Sequence, residues 1–230
     1  MNVTYHPLGD QAVLIHFRQE VSSEVLAEVQ CLKNEIQQEQ PDWLYEAVPA
    51  YASLAVHYDL TKLLHKEDPY QYVVSFLKEK AVNVNQDAGF EQRTVKIPVC
   101  YGGELGPDLE EVAQHAGVSA DEVIKRHQNG DYTVYMLGFA PGFPYIGGLD
   151  PSIAAPRKDN PRTAIPAGSV GIAGKQTGVY SIETPGGWQI IGRTPEKLFD
   201  LNREESFLLR AGDRIEFYAI TDKEFEEWQT

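Results

Sequence analysis

The sequence predicts an α+β chain: a small two-layer α/β unit followed by a β-rich unit built as a sandwich or barrel. Three observations carry this. In residues 1–90, helical periodicity alternates with short strand-like runs. Residues 138–195 hold 11 of the 19 glycines and 8 of the 14 prolines without low complexity, so many backbone positions there have a prescribed φ. Short apolar runs alternate with turn residues through the same segment, the pattern of tight-looped β structure. A length of 230 residues suits one large domain or two small ones. The boundaries fall at 1–85 and 92–230, on either side of the polar stretch NVNQDAGFEQ at 83–92.

The elements follow in order. Val3–Tyr5 and Ala12–Phe17 read as strands around the turn Pro7-Leu8-Gly9-Asp10. Ser22 or Ser23 caps a helix running to Gln40, with Val25, Leu26, Val29, Leu32 and Ile36 on its apolar stripe and Pro41 ending it. Leu44–Pro49 and Ser53–Tyr58 form a second strand pair, and Asp68-Pro69 starts a second helix. Two helices on one face of a small antiparallel sheet give the two-layer sandwich. Beyond 92, Val95–Tyr101 is a strand, and Leu109–Ala116 and Ala120–Gln128 are helices, the second capped by Ser119. Strands are expected at Asp131–Phe139, Ser169–Ala173, Val179–Ile182, Trp188–Ile191 and Arg214–Ile220, with a helical turn at Glu196–Phe199.

Charge narrows the function. The formal net charge is −14, which speaks against nucleic acid and against an anionic membrane surface as partners, since both need surplus Lys and Arg. No 18-residue apolar run is long enough to cross a bilayer, and MNVTYHPLGDQ lacks the basic start and apolar core of a secretory signal. Cys31 and Cys100 lie in no CxxC or Cys/His spacing, so neither a disulfide framework nor a metal site is expected. Two reduced cysteines fit a cytoplasmic protein.

Residues 138–195 break the charge rule of the whole. Arg157, Lys158, Arg162, Lys175 and Arg193 face only Asp150, Asp159 and Glu183, a local balance of +2. Fixed loops rich in Arg and Gly suit an anion, through the bidentate guanidinium fork and close backbone approach; the alternative is simple pairing with the acidic surface. Phe139, Pro141 and Phe143 sit in the run FAPGFPY, which either walls a groove or plugs one end of a barrel. Gln176 and Thr177 can orient an amide, and Tyr180, Gly187 and Trp188 complete the polar and aromatic group. GSVGIAGK at 168–175 is not a phosphate-binding P-loop: five residues separate Gly168 from Gly174, and Gln176 follows the lysine. Ser169 is not in Gly-x-Ser-x-Gly, and no histidine lies in 138–195, so no Ser-His-Asp set is visible; His115 and His127 read as structural. No catalytic residue is assigned.

LGFAPGFPYIGGLD (137–150) and PRKDNPRTAIPAGSVGIAGKQTGVYSIETPGGWQIIGRTP (156–195), with IPVCYGGELGPDLEEVAQHAG (97–117) and PLGDQAVLIHF (7–17), resemble the allophanate hydrolase subunit 1 family across almost the whole chain. That family includes the B component of bacterial 5-oxoprolinase and a sporulation-kinase inhibitor. The resemblance implies a ferredoxin-like N-terminal domain and a cyclophilin-like β-barrel. It implies a component inactive alone, working with an allophanate hydrolase subunit 2-type protein (the C component of 5-oxoprolinase) and with the A component. The complex would open 5-oxoproline to L-glutamate using ATP, with the nucleotide held by this chain or by a partner. The alternative it implies is a protein that blocks sensor histidine kinase autophosphorylation. On this reading Arg157 and Arg162 hold a carboxylate or a phosphoryl group, Gln176 and Thr177 orient the amide, and Phe139, Phe143, Tyr180 and Trp188 wall the groove.

Overall fold

The computed structural model describes residues 3–18, 22–83 and 92–228. The chain separates into two compact units, Met1–Glu91 and Gln92–Thr230. Most of the linker expected over 83–92 lies outside the described residues.

In the first unit, β1 (Thr4–Pro7) pairs antiparallel with β2 (Ala12–His16). Helix α1 (Ser23–Glu39) begins where the Ser22 hydroxyl accepts the Val25 N–H, at 3.3 Å, and stops at Gln40, whose left-handed backbone precedes Pro41. Its stripe of Val25, Leu26, Val29, Leu32 and Ile36 is buried, at the spacing that puts side chains on one helix face. β3 (Leu44–Ala50) and β4 (Ser53–Tyr58) form the second hairpin. Asp59 caps the one-turn α2 (Leu60–Leu63), and the Asp68 carboxylate accepts the Gln71 N–H at the start of α3 (Pro69–Asn83). The sheet order is β1-β2-β4-β3, antiparallel throughout. Val13, Ile15, Leu54 and Val56 join the α1 stripe and Val73 and Leu77 of α3 in one core. Full burial of each such side chain contributes roughly 1.5–3 kcal/mol. The topology is two hairpins, each followed by a helix; the ferredoxin-like label does not follow from it.

The second unit is a closed seven-stranded barrel. Its strands are β5 (Thr94–Tyr101), β6 (Tyr132–Leu137), β7 (Pro144–Gly147), β9 (Ser169–Ala173), β10 (Gln176–Val179), β12 (Gln189–Arg193) and β13 (Arg214–Ala219). They run in the order β10-β7-β6-β13-β5-β12-β9, and the β9–β10 pairing closes the ring. Only β5 and β13 pair in parallel among the described strands. Helices α4 (Leu109–Ala116) and α5 (Ala120–Gln128, capped by Ser119) bury Leu109, Val112, Ala113 and Val123 against the barrel core. Outside the ring, β8 (Arg162–Ile165) and β11 (Thr184–Gly186) form a small sheet, and α6 (Asp222–Trp228) ends the described chain.

Two expectations need correction. Residues 196–199 form no helical turn: Phe199 bridges to Phe207 and its ring stacks on it, drawing the backbone out. The strand expected at Val179–Ile182 lies at Gln176–Val179, because Gly174 and Lys175 form the hairpin turn and set the register Gln176 opposite Ala173. GSVGIAGK is barrel strand β9 and its turn. The Gly168, Ser169 and Gly174 N–H groups are bonded to Tyr180, Pro166 and Ala155 carbonyls, so they form no phosphate cradle.

Candidate functional site

Sheet β8–β11 and the loop before it gather most of the predicted site residues. Gly186 is the ladder partner of Arg162. A Cβ on Gly186 would overlap the Tyr180 phenol oxygen, so its absence lets that oxygen lie against β11, beside the strand that carries Arg162. Tyr180, Phe143 and Trp188 form a small packed cluster with Ile165 and Ile190. The Phe143 ring meets Tyr180 and Trp188 edge to face at 5.3 and 5.6 Å, a favoured aromatic geometry. These three rings, expected to wall an open groove, are 2–5% exposed; they back the site rather than line an opening. Phe139 is 65% exposed. Its backbone is left-handed, at φ 72°, a conformation costing about 1–2 kcal/mol for a residue with a side chain. Pro141 is exposed beside it. Arg157 is exposed, and its charge is felt at the Tyr180 phenol. Gly187 accepts the Lys158 N–H through its carbonyl, at 2.7 Å. Gln176 is half-buried at the start of β10.

Thr177 is placed elsewhere. It is fully buried in the barrel, and its hydroxyl donates to the Gly171 carbonyl at 3.0 Å. It therefore accepts from Nε2 of His127 at 2.9 Å, which puts the imidazole proton on Nε2 and leaves Nδ1 to accept from the Tyr101 hydroxyl at 2.8 Å. Burial pushes His127 down to about 3, so the ring is neutral across the physiological range. This chain of hydrogen bonds is closed, and the Thr177 hydroxyl is engaged at both ends.

The polar centre beside Arg162 was not legible in advance. Asp108, 3% exposed, accepts on one oxygen from Arg162 Nη2 at 2.7 Å and Lys158 Nζ at 2.9 Å, and on the other from the Ile190 N–H at 2.6 Å. Lys158 also reaches Glu111 at 2.8 Å and the Gln189 side-chain oxygen at 3.2 Å, while Gln189 donates to Glu111 and to the Pro156 carbonyl. Burial alone would push the Asp108 carboxyl up; the hydrogen bonds from Arg162, Lys158 and Ile190 together outweigh it and hold it below its ordinary value. In return, Asp108 raises Arg162, and Glu111 and then Asp108 raise Lys158. A Cβ on Gly106 would collide with the Ile191 carbonyl, so this glycine lets the 102–108 loop lie flat on β12 and delivers Asp108 to the Ile190 backbone. Asp108, Glu111, Lys158 and Gln189 are separated by up to 81 positions, too far for a spacing rule; a lone aspartate at a helix start was the one visible signal.

Among the described residues, no group of three His, Cys, Asp or Glu could hold a metal ion, and no helix is long and apolar enough to cross a membrane. Cys100 donates to Asp222 at 3.0 Å, and burial, reinforced by that carboxylate, pushes its thiol up to about 12; it is a packed thiol, not a nucleophile.

Residues 3–209 match the family described as carboxyltransferase domain, subdomain C and D. The chain is 46% identical to the B component of 5-oxoprolinase from Bacillus subtilis, over all of this chain and 98% of that protein. The crystal structure of TTHA0988 superposes with a TM-score of 0.79 at 37% identity, over 91% of this chain and 40% of that one, so this chain spans two fifths of that longer protein. Urea amidolyase of Saccharomyces cerevisiae matches at 23% identity over 98% of this chain and 14% of its own length. With 207 of its 230 residues inside the match, and the allophanate hydrolase resemblance borne out, the chain belongs to the carboxyltransferase subdomain C and D family.

Proposed function

We propose that this chain is a non-autonomous subunit of a 5-oxoprolinase, acting with partner subunits to hydrolyse 5-oxo-L-proline to L-glutamate at the expense of ATP. The full-length 46% identity to a 5-oxoprolinase component carries the reading. The site agrees with it: the substrate is a small carboxylate with a cyclic amide, and beside β8–β11 Arg157 adds a positive charge to Lys158 and Arg162, which Asp108 and Glu111 balance. Arg157 and Arg162 take the carboxylate, and Gln176 orients the amide. Phe143, Tyr180 and Trp188 form the rigid backing, with Phe139 and Pro141 on the exposed rim. Thr177 supports β10 from within the barrel.

The run 168–175 does not fit the phosphates of ATP. The glycine-rich run that could have cradled phosphate is a barrel strand with its N–H groups in use. The nucleotide is therefore assigned to a partner. The partners are an allophanate hydrolase subunit 2-type protein (the C component of 5-oxoprolinase) and the A component, and the complex is cytoplasmic. Co-expression with such partners should give ATP-dependent glutamate formation from 5-oxoproline, absent for the chain alone. No turnover from any combination, beside a working control enzyme, removes the reading. The second reading, inhibition of a sensor histidine kinase, draws on the exposed Phe139–Pro141 rim as a docking element. Kinase autophosphorylation left unchanged by micromolar protein discards it.

A further inference from the structure

We propose that Asp108 is a positioning residue: it holds one arm of Arg162 so that the other arm, with Arg157 and the Tyr180 phenol, forms a subsite for a single carboxylate group. The proposal rests on the reading of this region as the substrate-binding part of a 5-oxoprolinase, and it selects carboxylate over phosphate.

Four observations carry it. Asp108 occupies the N-cap position of α4, yet its side chain makes no capping hydrogen bond. An aspartate there ordinarily satisfies a helix N–H and contributes about 1 kcal/mol; this one turns away and commits both oxygens to Arg162, Lys158 and Ile190. Second, Arg162 spends only Nη2 on that carboxylate. Its Nη1 is buried and has no hydrogen-bond partner among the described residues. A buried donor left without an acceptor costs about 1–3 kcal/mol, and more on a charged group. Ser181 Oγ and Thr184 Oγ1 are also buried without partners, on β11 and the loop entering it. Among the described residues, unmet polar atoms thus concentrate where β11 pairs with β8.

Third, the hydrogen-bonded set is neutral: Asp108 and Glu111 balance Lys158 and Arg162. Arg157 adds one positive charge. The groups felt electrostatically at the Tyr180 phenol are Arg157, Arg162 and Tyr145, with no carboxylate among them. With Asp159 and Glu183 exposed on the neighbouring loops and only Arg157 and Arg162 turned toward the phenol, one monoanion suits that pair better than a phosphate dianion. Fourth, the Tyr180 phenol oxygen is held close against β11. Gly186 fixes its position beside the Arg162 strand.

The test follows the Arg162 side-chain Nε–Hε signal of the full chain, alone and in the assembled complex, while 5-oxo-L-proline, acetate or inorganic phosphate is added at constant ionic strength. Arg162→Lys, which keeps a cation for Asp108 and lacks Nη1, identifies the signal by its disappearance. The expected result is that both carboxylates move the signal and phosphate binds at least about tenfold more weakly. Asp108→Asn, equal in shape, should weaken carboxylate binding at least about tenfold. In an active complex it should raise KM for 5-oxoproline by a similar factor, with kcat little changed. If Asp108→Asn does not fold, Arg162→Lys carries the same expectation for binding. An unmoved signal in both the chain and the complex, equal response to phosphate, or unweakened binding in the variants overturns the proposal. Glutamate formation by the wild-type complex is scored separately: a carboxylate-responsive Arg162 in a complex without turnover keeps the subsite and discards the reaction.

Discussion

Two polar clusters in the barrel unit make opposite use of buried hydrogen bonds. Through His127 the hydrogen-bond chain is complete: Tyr101 donates to the imidazole, the imidazole to Thr177, and Thr177 to the Gly171 carbonyl, although the buried hydroxyl of the neighbouring Tyr132 has no partner of its own among the described residues. Around Arg162 the ion pairs are tighter, yet Nη1 of the same guanidinium is left over. A closed network spans the interior and fixes strands to a helix. An open one keeps a donor in reserve at a cost in stability, which is what a binding site requires. The contrast also explains why Thr177, next in sequence to Gln176, belongs to the interior while Gln176 does not: successive strand residues face opposite sides.

The largest expected effect comes from breaking the closed network. His127→Ala removes a fully buried ring that also contacts Tyr132 and Phe217 at centroid distances of 5.4 and 4.7 Å. It leaves a cavity and strands both the Tyr101 hydroxyl and the Thr177 oxygen. Urea unfolding of the barrel unit should show a loss of about 3–5 kcal/mol. A loss under about 1 kcal/mol would mean that water enters and restores the bonds.

Acid should attack the same network next. The folded value of His127, about 3, lies below the ordinary 6.5 of the unfolded chain, so the unfolded state binds the extra proton between these limits. Stability is complete above about pH 6.5 and is lost as pH falls toward 3, on the order of 3 kcal/mol between pH 7 and pH 4. Asp108, held below its ordinary carboxylate value, adds its loss only at the acid end. His127→Gln should flatten the slope above pH 4; an unchanged slope there would assign it to other groups.

Much of this architecture could be read from residues, and the gaps have physical causes. Helices α1, α4 and α5 were legible because apolar periodicity and caps at Ser22 and Ser119 point the same way. Strand β7 was hidden because Pro144 and Gly147, which look like turn residues, bound it. Strands β8 and β11 were hidden because they are short and pair only with each other. Arg162 looked like a loop residue and is the first residue of β8. The arginines proposed for the site stand out in the sequence through the local charge excess. Asp108 does not, since its meaning comes from partners 50, 54 and 82 positions away. Phe143 and Trp188 gave no sign of which was wall and which was core, because burial is a property of the closed fold.

Breaking the open network should cost the fold much less. In Arg162→Ala, Asp108 keeps Lys158 and the Ile190 N–H, and the partnerless Nη1 is removed with the rest of the guanidinium. The melting curve should move by no more than about 1–2 kcal/mol equivalent, while carboxylate binding and activity of the complex are lost. Full activity would remove Arg162 from the site; a collapse as deep as that of His127→Ala would make it a structural residue and erase the distinction between the two clusters.

The smallest effect is expected at the rim of the same network. Glu111 is 58% exposed and meets Lys158 at 2.8 Å. Water screens an ion pair at that exposure, so Glu111→Gln should change stability by no more than about 0.5 kcal/mol. The Gln side chain can still accept from Lys158 through its amide oxygen, and Lys158 retains the buried Asp108. Removing the outer carboxylate tips the hydrogen-bonded set from neutral to one positive charge. Carboxylate affinity should therefore rise slightly, by about twofold or less at physiological salt. A fall in affinity would show that Glu111 holds Lys158 and Gln189 in place for the site, and would extend the positioning role outward from Asp108 to the α4 surface.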